Sequence, residues 1–242
     1  MASKNELAKV ETFAALASGD LVDSPFSNEE LQGSMGAEGF SPRDLEKIKV
    51  PAGGATTWEI EATGEATKQI DCIIIDAQDI RMFYEEGYNG ESNPPDCMSL
   101  DLKTGVVGEN CPEEVTGNCA TCPKAKWGSA VNDKGEPTAG QACKQRKVML
   151  IIQPGDNLPY VLNAPSSSLK YIKKHFGRCV SAHGAPFWGV VSSLKLRKEE
   201  KGIEHSVIEP EILRPLSLEE IEAVRALRER FNVDAAQDSI EA

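Results

Sequence analysis

Five of the seven cysteines fall between residues 97 and 143, in a stretch dense in Gly, Pro and Asn. That stretch shows neither helical nor strand periodicity, so its cysteines are its strongest constraint. An odd count, clustered in one region, does not suit the evenly paired framework of a small secreted domain. It suits a metal site.

A tetrahedral zinc site takes four ligands, usually brought by two short turns. Cys119 and Cys122, in "CATC", form one such turn. The other two ligands come from Cys97, Cys111 and Cys143. Twenty-one residues separate Cys97 from Cys119 and twenty separate Cys122 from Cys143, so two flanking ends can meet over a central knuckle. Cys111 lies in a loop and is the natural spare, although it can replace Cys97. Two rivals are a redox CxxC and plain buried thiols. The redox motif belongs at the start of a helix, whereas Pro123 follows here in a loop-like context. Four thiolates leave no open position, which makes the expected metal structural; such a set accepts zinc or iron. Cys72, in "DCIII", and Cys179 read as core residues.

The flanking sequence is β-prone. "ATTWEIEA" alternates, and "KQIDCIIIDAQDIRMFYEE" is long enough for a bent strand or a strand pair. "RKVMLIIQ" and "LPYVLNA" read as strands joined by the turn signal "PGDN". "SSSLKYIKKHFG" reads as a helix capped by its serines, lined by Leu169, Ile172 and Phe176, and closed by Gly177. "PFWGVVSSLKLRK" and "IEHSVIEPEIL" form a hairpin around "EEKG". In "SLEEIEAVRALRERF", Ser217 and Glu220 make a capping box, with Leu218, Ile221, Val224 and Leu227 on one face. Near the N-terminus, "SKNE" caps a helix, residues 19–40 read as a linker, and "SPRDLEKIKV" offers a short helix from Ser41.

About six strands with one helix between the fourth and fifth point to a mainly β (α+β) fold. The expectation is an OB-like Greek-key barrel with a zinc-binding insertion and flanking helices. The boundaries expected are 1–50 for a helical and linker segment, 51–215 for the barrel with its insertion at 87–143, and 216–242 for a helix and acidic tail.

The formal net charge is −12, which argues at first against a nucleic-acid partner. Between Cys119 and Arg178, however, ten Lys and Arg face three acids, a local balance of +7 that leaves −19 to the rest. That basic stretch contains the CxxC, a tryptophan and two tyrosines. No apolar run approaches the roughly 20 residues that span a bilayer. The first residues carry acids and lack an apolar signal core, so a cytoplasmic protein with no membrane partner is expected.

Together, "IKVPAGGATTWEI", "NPPDCMSLDLKTGVVG", "CATCPKAKWGSA", "GQACKQRKVMLII" and "LPYVLNAPSSSLKYIKKHF" resemble a family from bacteriophages and mobile elements. The family is associated with replication and recombination gene sets and with single-stranded-DNA-binding proteins. The resemblance covers residues 41–178. It implies Cys97, Cys119, Cys122 and Cys143 as the zinc ligands and leaves Cys111 out.

The leading expectation is therefore a single-stranded-DNA-binding protein of phage or mobile-element replication, working through a basic groove and aromatic faces. The contacts expected are Lys124, Lys126 and Trp127 in the loop and Lys144, Arg146 and Lys147 after the last ligand. Tyr160 would stand on a strand, and Lys170, Tyr171, Lys173 and Lys174 on the helix. Phe83 and Tyr84 are further stacking candidates. The second expectation is a zinc-stabilised adaptor that meets replication, recombination or transcription proteins. Enzyme chemistry is not expected. The chain has no Walker loop, HExxH or GxSxG, His175, His183 and His205 are scattered, and Asp71, Asp76 and Asp79 make a poor nuclease set.

Overall fold

The computed structural model describes residues 45–60, 64–85, 94–109, 111–132, 134–156, 158–200 and 204–231. The expected N-terminal helix, the linker at 19–40 and the acidic end lie outside the described residues.

Among the described residues the fold is mainly β, with a mixed sheet and two helices. Its strands are β1 (Lys47–Ile48), β2 (Trp58–Ile60), β3 (Glu65–Thr67), β4 (Gln69–Phe83), β5 (Cys97–Ser99), β6 (Val106–Val107), β7 (Lys144–Ile152), β8 (Tyr160–Ala164), β9 (Val190–Glu199) and β10 (His205–Pro215). Helix α1 spans Leu169–His183 and α2 spans Leu218–Arg230. The sheet runs β1-β8-β7-β4-β5-β6, with β9 also on β4 and β10 on β9. β2 and β3 form a separate two-stranded ribbon.

The long apolar run settles as one strand, β4. Ile70 and the stretch Cys72–Ile75 are all buried, the signature of a strand covered on both faces. Its first residues pair antiparallel with β9 (Ile70 opposite Leu194), and its last pair antiparallel with β5 (Phe83 opposite Cys97).

The chain divides into two compact units. The larger holds residues 45–77 and 149–231 of those described, and the smaller holds 78–148. β4 and β7 each contribute residues to both.

In the larger unit, Trp58 is fully buried and its indole N–H donates to the Leu194 carbonyl at 3.0 Å. It packs in one cluster with Ile74, Ile151, Leu162, Ile172 and Ile208. Residues 47–48, expected at the end of a helix, instead pair parallel with Val161 and Leu162. The Val161 N–H donates to the Glu46 carbonyl, a tertiary partner that local capping signals cannot reveal.

Helix α1 runs past the expected stop at Gly177 and ends at Gly184, whose φ of 60° is the left-handed cap that glycine favours. It continues because His175 and Cys179 extend the buried stripe begun by Ile172. The expected serine cap is also displaced, since the Ser168 hydroxyl accepts the Ile208 N–H at 2.9 Å. His175 is buried with Ser192 Oγ 2.9 Å from its Nε2, and burial, helped by the nearby Arg178 charge, pushes its pKa down to about 4. It is a neutral core residue.

Helix α2 opens with the expected box: Ser217 Oγ accepts the Glu220 N–H at 3.2 Å and Glu220 accepts the Ser217 N–H at 2.8 Å. Arg214 adds two bonds to the buried Glu220 at 2.9 and 2.8 Å. Burial alone would raise the Glu220 pKa, but these bonds hold it below the usual carboxylate range. The buried stripe is Glu220, Ala223, Val224, Leu227 and Phe231, whereas Leu218 is 83% exposed and not part of it.

No helix among the described residues is long and apolar enough to cross a membrane.

Candidate functional site

The smaller unit gathers the cysteines. Strand β5 sets Cys97 opposite both Phe83 on β4 and Val107 on β6. The approach to the second turn is fixed by Asp101, whose Oδ1 accepts the N–H groups of Lys103 and Thr104, each at 2.7 Å. Those backbone bonds hold its carboxyl below the usual range. Between them Leu102 takes φ 62°, a left-handed conformation that a branched side chain adopts only when its surroundings require it.

The chain then passes Gly105, where an added Cβ would lie 2.8 Å from Cys97 Sγ. Gly105 donates to the Gly117 carbonyl, and Gly117 sits at φ 79° with its own added Cβ only 2.6 Å from the Gly105 carbonyl oxygen. Only glycine suits either place.

The CxxC turn hangs from Asn118, whose side chain accepts the Ala120 N–H at 3.1 Å and whose carbonyl accepts the Cys122 N–H at 2.9 Å. Cys119 donates to the Lys103 carbonyl at 2.9 Å and Cys143 to the Lys124 carbonyl at 2.8 Å. Pro123–Ala125 form a short 3-10 turn after Cys122.

These bonds bring Cys97, Cys119, Cys122 and Cys143 around one cavity of about 10 Å³, with Phe83 and Val115 in its apolar wall. The volume is about that of one water-sized sphere. Among the described residues, no group of three or more His, Cys, Asp or Glu side chains is arranged so that it could hold a metal ion as it stands. The donor chemistry nevertheless fits one: four thiols, no competing carboxylate on the cavity wall, and a space of single-atom scale. Burial pushes the Cys97 thiol up to about 12, helped by Cys111, Cys143, Cys119 and Cys122 around it. Burial likewise raises Cys143, to about 11 against the pull of Arg81. Cys111 packs against the same cluster from a more exposed position. Cys72 and Cys179 are fully buried in the larger unit, as core residues.

The loop from Lys124 to Cys143 is tied at both ends. Ser129 Oγ lies 2.8 and 2.6 Å from the Lys124 and Lys126 carbonyls and accepts the Ala142 N–H at 2.9 Å. Gly128 and Ala130 both donate to the Gly140 carbonyl. In the turn closed by the Ser129 N–H on the Lys126 carbonyl, Trp127 is 77% exposed, with Lys126 exposed beside it.

The other expected contacts divide sharply. Lys124 is engaged by Glu114 at 3.3 Å and Glu85 at 3.6 Å, with its ammonium over the Phe83 ring. Lys147 is largely buried against Asp79 at 2.8 Å, and Arg146 is half-buried with an interaction of its own. Lys144 is exposed. Phe83 and Tyr160 are buried. In the larger unit, the Tyr171 hydroxyl accepts from Arg197 at 2.6 Å, and its ring lies under Lys170 and Arg197. Lys170, Lys173 and Lys174 are exposed on α1. Of the acids weighed as a nuclease set, Asp76 pairs with Arg228 and Asp79 with Lys147.

Sequence reasoning missed Asp101, Gly105, Asn118 and Arg81, whose guanidinium donates to the Cys143 carbonyl at 3.3 Å. "DLKTGVVG" carries a readable signal, an acid two residues before a Lys-Thr-Gly turn. Arg81 carries none.

No family model, curated protein or solved structure matches this chain.

Proposed function

We propose that this chain binds single-stranded DNA through a loop held by a structural zinc ion. The observation that carries the reading is Trp127, an indole 77% exposed in the turn at 126–129, five residues after Cys122, one of the four cysteines around the cavity. A large aromatic side chain in water gains nothing for the fold, whereas a base stacked on it contributes about 1–3 kcal/mol. Cys97, Cys119, Cys122 and Cys143 would hold the ion. It would supply no reaction chemistry, only a fixed base for the loop, and it would offset the cost of deprotonating buried thiols.

The strand order supports an OB-like reading. β4, β7 and β8 are consecutive neighbours, α1 follows, and the β9–β10 hairpin returns to β4. That order is compatible with a five-stranded Greek-key barrel, whose first interstrand loop is one of its oligonucleotide-binding elements. Here the connection between β4 and β7, which carries β5, β6 and the cysteines, stands in that place in the chain order. The resemblance of residues 41–178 to a phage and mobile-element family supports extending this reading to a cytoplasmic role in replication or recombination.

A second reading has its own support. Val106 (77%), Val107 (39%) and Val131 (64%) are exposed on the smaller unit, as they would be on a docking surface for a replication protein. Titration of metal-loaded protein with oligo-dT, followed by tryptophan fluorescence across a salt series, separates the two. Saturable quenching that weakens with salt is expected. Silence at low salt would leave the adaptor.

A further inference from the structure

Helix α1 carries six exposed residues on one side: Lys170, Lys173, Lys174, Gly177, Arg178 and Ser181. At 3.6 residues per turn they cover an arc of about 140°, opposite the buried Ile172, His175 and Cys179. No acid occurs between residues 157 and 198. Among the described residues, none of the four cations has an ion-pair partner. On the β9–β10 hairpin of the same unit the cations are matched: Lys195 with Glu211, Arg197 with Glu199 and Glu209, Lys198 with Glu204. In a chain of net charge −12, an unmatched basic face is a departure that solubility does not require.

Gly177 is the second observation. It lies in the middle of that arc, nine residues after the N-cap Ser168 and seven before the C-cap Gly184, well inside the helix, where glycine is a poor choice. No packing demands it, because an added Cβ would meet nothing within 4 Å. Its remaining use is to let another chain's backbone approach the helix closely.

We propose that this face of α1 is a phosphodiester-binding surface, with Lys170, Lys174 and Arg178 contacting successive phosphates of a single strand that crosses the helix at Gly177. The charges rise about 6 Å at each step along the axis, and charge complementarity selects a polyanion. The proposal rests on the single-strand reading above but places the phosphate contacts on α1, since Lys124 and Lys147 are already neutralised by acids.

The test is fluorescence anisotropy of labelled oligo-dT across a salt series, with wild type, the triple variant Lys170→Ala/Lys174→Ala/Arg178→Ala, Gly177→Ala and Trp127→Ala. For single strands each lost phosphate contact flattens the log-log salt dependence by about 0.7, so the triple variant is expected to lose about 2. Gly177→Ala is expected to bind more weakly while melting at a higher temperature, a combination that a purely structural glycine would not give. Trp127→Ala is expected to lose affinity at an unchanged slope. A triple variant with the wild-type slope would overturn the α1 assignment and leave the single-strand reading standing. Equal losses for a blunt duplex would overturn its single-strand character. Wild type that binds no oligo-dT at low salt would end both.

Discussion

The larger unit buries Trp58, Ile74, Ile151, Leu162 and Leu194 in one aliphatic and aromatic cluster. The smaller, over residues 78–148, gathers around Phe83, Val115 and three cysteines, with Cys111 against them. A core of that size removes little apolar surface from water, and domains of this length with thin cores usually need a disulfide or a metal. None of the seven cysteines is in a disulfide. The contrast teaches that one unit is specified by hydrophobic periodicity and the other by cysteine placement, glycine turns and Asx-type hydrogen bonds.

The contrast breaks if the cysteines can be removed cheaply. Cys122→Ser is expected to abolish amide protection across 97–143 while the larger unit stays protected, as followed by hydrogen exchange. Structural zinc sites in small peptides contribute roughly 10–16 kcal/mol of apparent binding energy, so the loss should be unmistakable. The reciprocal change, Ile74→Ala at a fully buried site, is expected to cost about 2–5 kcal/mol in urea unfolding without altering metal content.

Acid should discriminate too. With the pKa of His175 lowered from 6.5 to about 4, the unfolded chain binds a proton between those values that the folded chain does not. Stability therefore falls as pH drops through that window, by up to about 3 kcal/mol, and is fully present above it. His175→Gln is expected to remove that share of the slope in urea unfolding followed by the buried Trp58. Smallest is Ser217→Ala, which removes the α2 cap for about 1 kcal/mol by thermal melting and should leave the smaller unit untouched.

Much of the larger unit was legible. β-prone runs and turn residues gave β4 (as one bent strand or a pair), β7, β8 and the β9–β10 hairpin, and the Ser217–Glu220 spacing gave the α2 cap. The parallel pairing at 47–48 was not, because two residues carry no period and their partners lie over a hundred residues away. Gly177 misled because glycine marks a helix end only where its backbone turns left-handed, and that happens at Gly184. Leu218 misled because its apolar character fits the stripe and its position beside the cap does not. In the smaller unit spacing set Cys119, Cys122 and Cys143 beside either Cys97 or Cys111, the resemblance implied Cys97, and Cys97, Cys119, Cys122 and Cys143 line one cavity. The acids beside Lys124 and Lys147 did not, since Glu85, Glu114 and Asp79 are ordinary surface residues until the chain folds.

Native mass spectrometry of the purified chain, combined with thiol alkylation before and after denaturation, tests the central claim most directly. The account predicts one zinc per chain, with Cys97, Cys119, Cys122 and Cys143 released for alkylation when a chelator removes it and Cys111 reactive throughout. A metal-free chain whose smaller unit is nonetheless fully protected in hydrogen exchange would contradict it.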